Sequence, residues 1–331
     1  MVLRGNGPIA SSPLETAELP DPLPGPGEIR VKVAACGICR TDLHVIEGDL
    51  RPLRAPLVPG HQVVGRVDRR GEGAARFPVG ARVGIAWLRH TCGACAFCAS
   101  GRENLCEAPL FTGYHRDGGF AEYAVVPEAF AYEIPEAFGD AEAAPLLCAG
   151  IIGYRALRRA DLPPGGTLAL YGFGSSAHIV IQLALSRGSR VVVCTRGERH
   201  RKLARDMGAF WAGEDPAEMP VRADSAILFA PAGELVPVAL KRLRKGGTLS
   251  LAGIHMSDIP AMRYEECLFY EKNVRSVTAN TRRDGEDLLR EAARIPIRPK
   301  VTLFPLAEAN RALRMLKDDE LQGTGVLTVP G

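Results

Sequence analysis

The sequence predicts an α/β protein of two domains, one irregular and β-rich, the other a Rossmann-type doubly wound parallel sheet. Its 331 residues exceed what one ordinary domain holds. In the first half, short apolar runs alternate with Gly and Pro clusters such as residues 21–28 and 51–60, a pattern typical of irregular β-structure. From residue 167 onward, apolar strands alternate with amphipathic helices, which indicates a parallel sheet covered on both faces.

The change of pattern sets the expected domain boundaries. We expect residues 1–149 and 283–331 to form the β-rich domain and residues 150–282 to form the parallel-sheet domain. Residues 140–160 have helical spacing and stop before the segment "DLPPGG", so we expect one helix there. Residues 234–247 predict another helix, followed by a strand.

Composition narrows the classes of partner. The chain is 46% hydrophobic and 24% charged, with a net charge of +3, which gives no reason to expect a nucleic-acid or membrane partner. The first twenty residues lack the apolar segment of a signal peptide, and no run approaches eighteen apolar residues. We expect a cytoplasmic protein, whose thiols stay reduced.

Four of the nine cysteines crowd into one loop with the spacing C-x2-C-x2-C-x7-C: Cys92, Cys95, Cys98 and Cys106. Two-residue gaps let the sulfurs converge on one ion, and four thiolates around Zn²⁺ form a closed tetrahedral structural site. A disulfide knot would require an oxidising compartment, and iron–sulfur loops usually have other spacings. Because a closed site offers no open coordination position, we expect the chemistry elsewhere.

Three further stretches carry potential metal ligands: "ACGICRTDLH" (35–44), "PLVPGHQVVG" (56–65) and "PLLCAGIIGYRAL" (145–157). They offer Cys39, His61 and Cys148, which together could hold Zn²⁺ with a fourth position open. The ligands are far apart in sequence, and a lone Cys is often a small buried hydrophobic residue. The residues alone therefore leave a packing role open.

A glycine-rich motif follows these stretches and has the context of a dinucleotide site. Gly172, Gly174 and Ala177 lie between a predicted strand and a predicted helix. Gly172 allows the tight turn, and Gly174 lets the backbone approach a pyrophosphate at the helix N-terminus. Ala177 stands where close helix–strand packing requires a small residue.

In their order along the chain, all these motifs closely resemble the zinc-dependent alcohol dehydrogenases of the medium-chain dehydrogenase/reductase superfamily. The resemblance covers nearly the whole chain and implies a GroES-like catalytic domain beside the Rossmann domain. It also implies two Zn²⁺ per chain, a structural one in the four-cysteine loop and a catalytic one held by Cys39, His61 and Cys148. Cys36 would be a bystander, with a Cys36–Cys39 metal clip as the alternative.

The resemblance assigns roles to four more residues. Asp42 would accept the free N–H of the metal-bound histidine. Thr41 would lie beside the substrate oxygen, and His44 would end a proton relay reached through the cofactor ribose, because histidine titrates near physiological pH. Trp87 would narrow the alcohol pocket. A surface position for His44 and plain core packing for Trp87 are the alternatives.

One position departs from the family. Its members usually read Gly-His-Glu, whereas this chain reads Gly60-His61-Gln62. Glutamine cannot carry a charge, so the zinc site would be one negative charge poorer. We expect altered exchange of water or product rather than an inactive site.

The end of the second Rossmann strand favours NADP(H) over NAD(H). NAD-type folds place Asp or Glu about 20 residues beyond the glycines, but no acidic residue occurs from 175 through 197. The strand ends in Thr195 and Arg196, with Arg199 and Lys202 close behind, and arginine can bind a 2′-phosphate. NAD(H) remains the alternative, with Glu198 reaching back to the ribose.

The resemblance implies reversible hydride transfer between an alcohol and a nicotinamide cofactor, giving an aldehyde or ketone. An aldehyde reductase, or a polyol- or cinnamyl-type dehydrogenase, is the alternative within the superfamily. A non-enzymatic zinc module is the alternative outside it, which the near-neutral charge and the second ligand set disfavour. The expected partner is a small alcohol or aldehyde, and the resemblance implies a homodimer or homotetramer.

Overall fold

The structure, a computed structural model, describes residues 1–51, 53–253 and 256–329. The chain divides into two compact units. We name the units after the roles expected from the sequence. The unit that we call catalytic comprises Met1–Ile151, Ala279–Arg294 and Arg298–Gly331, and the unit that we call dinucleotide comprises Ile152–Thr278 and Ile295–Ile297. The first crossing thus lies two residues beyond the boundary expected after residue 149. In the part of the chain described, no helix is long and apolar enough to cross a membrane.

The described residues contain seventeen strands. In chain order they are β1 (Val2–Leu3), β2 (Leu14–Glu15), β3 (Glu28–Gly37), β4 (Gln62–Arg70), β5 (Arg82–Ile85), β6 (Leu88–His90), β7 (Leu110–Phe111), β8 (Tyr123–Pro127), β9 (Ala131–Glu133), β10 (Thr167–Tyr171), β11 (Arg190–Cys194), β12 (Trp211–Gly213), β13 (Ala223–Leu228), β14 (Leu243–Leu251), β15 (Asn273–Ser276), β16 (Val301–Pro305) and β17 (Thr324–Thr328).

The same residues contain ten α-helices, most of them short. They are α1 (Arg40–Glu47), α2 (Ala96–Ala99), α3 (Asp140–Ala143), α4 (Ala149–Ala160), α5 (Ser175–Ser186), α6 (Glu198–Asp206), α7 (Leu235–Arg242), α8 (Tyr264–Cys267), α9 (Arg282–Ala292) and α10 (Ala309–Lys317).

The catalytic unit is built on one mixed sheet with the strand order β16-β17-β3-β4-β5-β9, and β8 also pairs with β3. Strand β3 shows why the sequence forms this sheet. Its apolar side chains at Ile29, Val31 and Val33 are buried and alternate with more exposed charged residues, as a sheet with one face on a core requires. The antiparallel register pairs Gly37 with Gln62, so the chain leaving β3 lies beside the chain entering β4.

The dinucleotide unit contains six parallel strands in the order β12-β11-β10-β13-β14-β15. Strand β10 is buried along its whole length, as expected for a parallel sheet covered on both faces. The order reverses direction at β10, where the glycine motif connects this strand to α5. Such a switch point is where open α/β sheets bind ligands. The predicted fold class is confirmed.

The expected helix over 140–160 is wrong in one respect, because it is broken at Cys148. Helix α3 ends at Ala143, a 3₁₀ turn spans Ala144–Leu147, and α4 begins at Ala149. Pro145 lies in the 3₁₀ turn and lacks the N–H that a continuous helix would use. Cys148 takes non-helical dihedrals of φ −134° and ψ −73°, and this break places its thiol in the site described below.

The expected helix over 234–247 is also shorter than predicted. Helix α7 ends at Arg242, and Leu243 already begins β14, where it pairs with Ala223. Gly246 has φ +74°, a left-handed conformation that glycine adopts readily and that a helix cannot continue through. Tertiary pairing with β13 therefore determines the helix end.

Candidate functional site

The sulfurs of the four cysteines in the 92–106 loop lie close together. Their sulfurs all lie within 4.8 Å of one another, with Cys92 Sγ 3.9 Å from Cys98 Sγ and 3.5 Å from Cys106 Sγ. Tetrahedral Zn–S bonds of about 2.3 Å imply sulfur–sulfur distances of about 3.8 Å. The backbone N–H of Cys95 donates to Cys92 Sγ at 3.3 Å, and such bonds stabilise thiolates. The donor set fits a closed structural Zn²⁺ site.

Without a metal ion, the four thiols of this loop would not all ionise together, because each thiolate disfavours the ionisation of its neighbours. Hydrogen bonds from the backbone at Cys98 and Glu107 lower the pKa of Cys95 to about 6. Desolvation, together with its hydrogen bond to Cys95, raises the pKa of Cys98 to about 12. Four thiolates side by side therefore need a compensating cation, and a divalent metal that coordinates all four supplies that charge.

An ion pair anchors this loop to the body of the catalytic unit. Glu103, inside the loop and 9% exposed, accepts two hydrogen bonds in a fork from the Arg282 guanidinium, with Nη2 to Oε2 at 2.7 Å and Nε to Oε1 at 3.1 Å. The Arg282 backbone N–H donates to the same carboxylate at 2.7 Å, and its guanidinium lies 4.6 Å from the Phe130 ring centroid. Bidentate, partly buried pairs of this kind are the stronger ones.

The second predicted ligand set is also assembled, within the catalytic unit. Cys39 Sγ lies 3.4 Å from His61 Nε2 and 3.9 Å from Cys148 Sγ, and the three donor atoms lie within 4.8 Å of one another. A tetrahedral Zn²⁺ with these ligands requires about 3.6 Å between sulfur and nitrogen and about 3.8 Å between sulfurs. Cys36 is not part of this group in the described residues, which counts against a Cys36–Cys39 clip.

Local structure explains how ligands so far apart in sequence meet. Cys39 is the N-cap of α1, and its sulfur accepts from the Thr41 N–H at 3.3 Å. The β3–β4 register brings the residues after Gly37 beside His61, which precedes β4. Cys148 completes the set from the helix break. The Cys39 and Cys148 thiols share a hydrogen bond, which lowers the pKa of Cys39 well below its usual range and raises that of Cys148.

Asp42 orients the imidazole of this set. His61 Nδ1 lies 3.0 Å from Asp42 Oδ1, and both side chains are buried. Because a carboxylate accepts, Nδ1 carries the proton and Nε2 presents its lone pair toward Cys39 and Cys148. Asp42 Oδ2 in turn accepts from the Cys39 backbone N–H at 2.9 Å. This carboxylate–histidine arrangement is the usual support of a metal-binding histidine.

Thr41 and His44 lie three residues apart on α1 and therefore share a face of the helix. Thr41 is 8% exposed. His44 Nδ1 lies 2.8 Å from Asp49 Oδ2, with the imidazole 20% exposed. Asp49, which we did not anticipate from the sequence, fixes the His44 tautomer with its lone pair on Nε2. The i, i+5 spacing across the α1 C-terminus was its only sequence signal.

Trp87 lies against the ligand set and packs against two further aromatic rings. Its ring meets the His61 imidazole edge-to-face at 5.1 Å. Phe111 stacks on it at 4.8 Å and Tyr114 at 6.0 Å. We did not predict these last two residues, although the aromatic run at 111–115 was a signal for them.

Gln62 is the buried polar residue next to His61. It is 0% exposed, and neither its amide nitrogen nor its amide oxygen has a hydrogen-bond partner among the described protein groups. A charged Glu side chain without a partner would cost far more at this depth. The neutral residue thus suits its surroundings, and its effect on exchange at the site stays a prediction.

The two glycines of the motif lie in the turn between β10 and α5. Gly172 has φ +88°, and a Cβ there would lie 3.0 Å from the Ala230 backbone nitrogen, so glycine is required. A Cβ on Gly174 would meet nothing within 4 Å, which leaves open space at the N-terminus of α5. Ala177 is fully buried. The first turn of α5 carries no acidic residue, so the turn suits an anionic pyrophosphate.

The residues that follow β11 differ in their exposure and in their contacts with the rest of the chain. Arg196 is exposed, and its guanidinium has no hydrogen bond or ion pair with the part of the chain described. Thr195 is 9% exposed, and Arg199 is exposed on the first turn of α6. The Glu198 carboxylate is held by Arg201 at 3.0 Å and by Arg205, rather than reaching back toward β11.

The chain is similar over nearly its full length to known alcohol dehydrogenases. The profile of the alcohol dehydrogenase GroES-like domain matches residues 25–136. A Mycobacterium tuberculosis protein (strain CDC 1551 / Oshkosh), named probable alcohol dehydrogenase AdhA, is 51% identical, over 99% of this chain and 96% of that protein. An alcohol dehydrogenase of Geobacillus stearothermophilus is 37% identical, over 95% of each chain.

Solved structures agree over nearly the full length. A thermostable alcohol dehydrogenase from Pyrobaculum aerophilum, with cobalt and zinc bound, superposes with a TM-score of 0.87 at 26% identity, over 99% of this chain and 98% of that one. A protein described as an NAD-dependent alcohol dehydrogenase gives a TM-score of 0.89 at 26% identity, over 99% of each chain. This chain therefore belongs to the alcohol dehydrogenases of the medium-chain dehydrogenase/reductase superfamily.

Proposed function

We propose that this alcohol dehydrogenase is zinc-dependent, with a catalytic Zn²⁺ held by Cys39, His61 and Cys148 and a structural Zn²⁺ in the four-cysteine loop. The observation that carries the proposal is the convergence of two thiols and one oriented imidazole within 4.8 Å. Zn²⁺ bound there would supply Lewis-acid polarisation of the substrate oxygen. The protein's own part is to hold the ligands, which it does through the Asp42 carboxylate and the α1 N-cap.

Metal analysis with and without a chelator tests this assignment. We expect two zinc ions per chain, loss of alcohol oxidation when the more labile ion is removed, and recovery when Zn²⁺ is restored. One zinc ion per chain together with no turnover would instead favour a non-enzymatic zinc module.

We propose that the Thr41 hydroxyl accepts the proton released by the alcohol as it gives up its own proton, and that His44 passes a proton on to solvent. The buried Thr41 hydroxyl lies on the same face of α1 as His44. The hydrogen bond between Asp49 Oδ2 and His44 Nδ1 places the ring proton of the neutral imidazole on Nδ1 and its lone pair on Nε2. Relays of this kind typically contribute about 10²–10⁴-fold in rate.

Replacing His44 by alanine is expected to lower kcat about 10- to 100-fold near neutral pH, at the low end because solvent can partly substitute. Added imidazole should restore part of the loss, since an external base can take the proton. The readout is kcat from pH 6 to 9. His90→Ala, which removes an exposed histidine on β6, is the control. A pH profile unchanged from wild type would remove His44 from the mechanism.

We propose that NADP(H) is preferred over NAD(H), on the evidence of this chain's own residues. The unpaired guanidinium of Arg196 follows the strand end where NAD-type folds place an acid. The alternative through Glu198 is disfavoured because Arg201 and Arg205 already hold its carboxylate. A 2′-phosphate would thus meet cations and no free carboxylate at this position.

Arg196→Ala is expected to lower kcat/KM for NADP(H) about 10- to 150-fold, the value of a charge-assisted hydrogen bond, and to leave NAD(H) almost unchanged. Steady-state kinetics with both cofactors provide the measurement. Lys202→Ala is the control, because Lys202 is engaged with Asp206 at 2.8 Å. A wild type that prefers NAD(H), or a variant with its NADP(H) preference intact, would contradict the assignment.

The substrate of this enzyme, among alcohols and aldehydes, is also a matter of proposal. We infer a small-molecule alcohol or aldehyde, because Trp87 and its stacked neighbours present an apolar wall beside the ligand set. Steady-state kinetics over a panel of alcohols, polyols and aldehydes distinguish an enzyme that mainly oxidises alcohols from an aldehyde reductase or a polyol-type dehydrogenase.

We propose that the chain forms a homo-oligomer through the open edge of the dinucleotide sheet. Among the residues that the structure describes, strand β15 pairs with β14 and with no strand on its other side. Near this edge the apolar side chains are unusually exposed, namely Tyr264 (60%), Phe269 (56%), Tyr270 (44%) and Val274 (38%). Unprotected edges and apolar patches invite association. Light scattering that gives the mass of a monomer would contradict this proposal.

The cytoplasmic location stays a prediction, testable by cell fractionation.

A further inference from the structure

A continuous set of aromatic rings extends from the proposed metal ligand His61, and we call its outer four members the aromatic wall: Trp87, Phe111, Tyr114 and His115. Trp87 contacts His61 edge-to-face and stacks with Phe111 and Tyr114. His115 completes the wall, with its ring centroid 4.8 Å from that of Tyr114 and 5.4 Å from that of Phe111. All of these residues belong to the catalytic unit.

The imidazole of His115 is held in one tautomer by the backbone. The Phe111 N–H donates to His115 Nδ1 at 3.2 Å, and the His115 N–H donates to the Phe111 carbonyl at 3.0 Å. Because a backbone N–H can only donate, Nδ1 must present its lone pair, and the ring proton lies on Nε2. Burial, with a smaller contribution from Arg116, lowers the pKa of His115, which favours this neutral form.

The loop that carries His115 is anchored to the segment leading into the ligand set. Asp117 Oδ1 accepts from the Val58 N–H at 2.9 Å, and the Gly119 N–H donates to the Gly60 carbonyl at 2.9 Å. On its other side, the Thr112 N–H donates to the Trp87 carbonyl at 2.9 Å. The position of His115 relative to His61 and Trp87 is therefore fixed by hydrogen bonds from both flanks.

Two ring N–H donors of the aromatic wall, Trp87 Nε1 and His115 Nε2, have no hydrogen bond to the described residues. Trp87 contacts the His61 imidazole, so His115 Nε2 is the donor on the ring that lies farther along the wall from the ligand set. Tyr114 also carries a hydroxyl, but it donates to the Arg51 carbonyl at 2.7 Å. Among the described residues, no hydrogen bond to His115 Nε2 is found, and the side chain is half-buried rather than sealed from solvent. The rest of the wall is flat and apolar, which suits stacking against a planar substrate.

We propose that His115 is a specificity-determining residue that donates from Nε2 to an acceptor oxygen carried by the substrate away from its reacting carbon. The inference rests on the proposed function, since it takes the Cys39–His61–Cys148 set as the reacting centre. The favoured substrates are planar, ring-containing alcohols and aldehydes with an ether or hydroxyl substituent. An unsubstituted ring stacks on the same wall but leaves the donor unpaired.

Matched probe pairs test this directly, with benzyl alcohol compared against 3-methoxybenzyl and 4-methoxybenzyl alcohol. His115→Phe keeps a ring and removes the donor. We expect its kcat/KM to fall about 5- to 100-fold for the better methoxy probe, as for an acceptor that loses its only donor, and to change less than about twofold for benzyl alcohol. The loss should lie mainly in KM, since the bond forms equally in ground and transition states.

The conservative variant His115→Gln provides the matched control, because its amide nitrogen can stand near the position of Nε2. It should recover much of the methoxy preference, whereas a purely structural role for the ring would impair His115→Gln, which lacks a ring, and spare His115→Phe, which keeps one. A methoxy-to-benzyl ratio equal in wild type and His115→Phe would overturn the proposal, as would equal losses on both probes.

A binding readout keeps this outcome separate from that of the proposed function. Dissociation constants of benzaldehyde and the methoxybenzaldehydes, from quenching of Trp87 fluorescence, should show the same His115-dependent ratio. If wild type with two zinc ions turns over neither these probes nor any member of the panel of alcohols, polyols and aldehydes, the proposed function fails. In that case, the ratio of the dissociation constants of the methoxybenzaldehydes and benzaldehyde still tests His115. A ratio that differs between wild type and His115→Phe supports the role of His115, and an equal ratio overturns it.

Discussion

The Cys148→Ala protein is expected to fold, to retain one zinc ion per chain instead of two, and to lose alcohol oxidation by more than about a hundredfold. Replacing a residue that merely supports a metal ligand already costs about 10- to 100-fold, and Cys148 is proposed to be a ligand itself. Its removal also leaves the Cys39 thiol without the hydrogen bond that lowers its pKa. The readouts are zinc content, kcat and the circular dichroism spectrum.

Cys36→Ala is the matched control for this experiment. Cys36 is a buried cysteine of the same unit, three residues from Cys39, yet it lies outside the ligand set. The control should keep both zinc ions and most of the activity. If Cys36→Ala lost a zinc ion while Cys148→Ala kept both, the clip between Cys36 and Cys39 would be the correct metal site.

The Cys95→Ser protein is expected to fail in the opposite way, by losing stability before chemistry. A thiolate ligand of a structural Zn²⁺ contributes folding free energy, and a loss of about 3–5 kcal/mol is typical of a broken metal site. For a unit of this size that corresponds to a fall in Tm of roughly 10 °C. The loop should also become sensitive to protease, and soluble yield should drop.

The anchoring of the loop gives this prediction its physical reason. Without the metal, residues 92–106 would depend on the Glu103–Arg282 pair and a few backbone bonds, because α2 spans only four residues. Ala99→Ser is the control, since it introduces the same hydroxyl at an exposed position of the loop. A Cys95→Ser protein with wild-type Tm and two zinc ions would show that this loop is not a metal site.

Local patterns were sufficient for the four-cysteine loop and for the glycine motif. In both, the chemistry lies within a short segment, where the number of intervening residues limits where the sulfurs or the backbone can be. The alternation along β3 and the all-apolar β10 likewise follow from which faces must be buried. These features were predictable because each depends on neighbours in sequence.

The proposed catalytic ligand set could not be predicted from local sequence patterns alone. Cys39, His61 and Cys148 are spread over 110 residues, and the sequence connected them only through resemblance to a family. Their meeting depends on the Gly37–Gln62 register and on the break before α4, which we had expected to be continuous helix. Propensity favours that helix, and Pro145 together with packing in the catalytic unit overrides it.

The sequence by itself determined the fold class, the clustering of the four loop cysteines and the glycine turn between β10 and α5, because short-range spacing and burial patterns encode them. Only the tertiary structure decided that Asp49 orients His44, that Arg201 and Arg205 occupy Glu198, and that His115 has one tautomer. Each of these depends on which donor lies within about 3 Å of which acceptor. That distance is set by how strands and loops pack, which no single segment of sequence specifies.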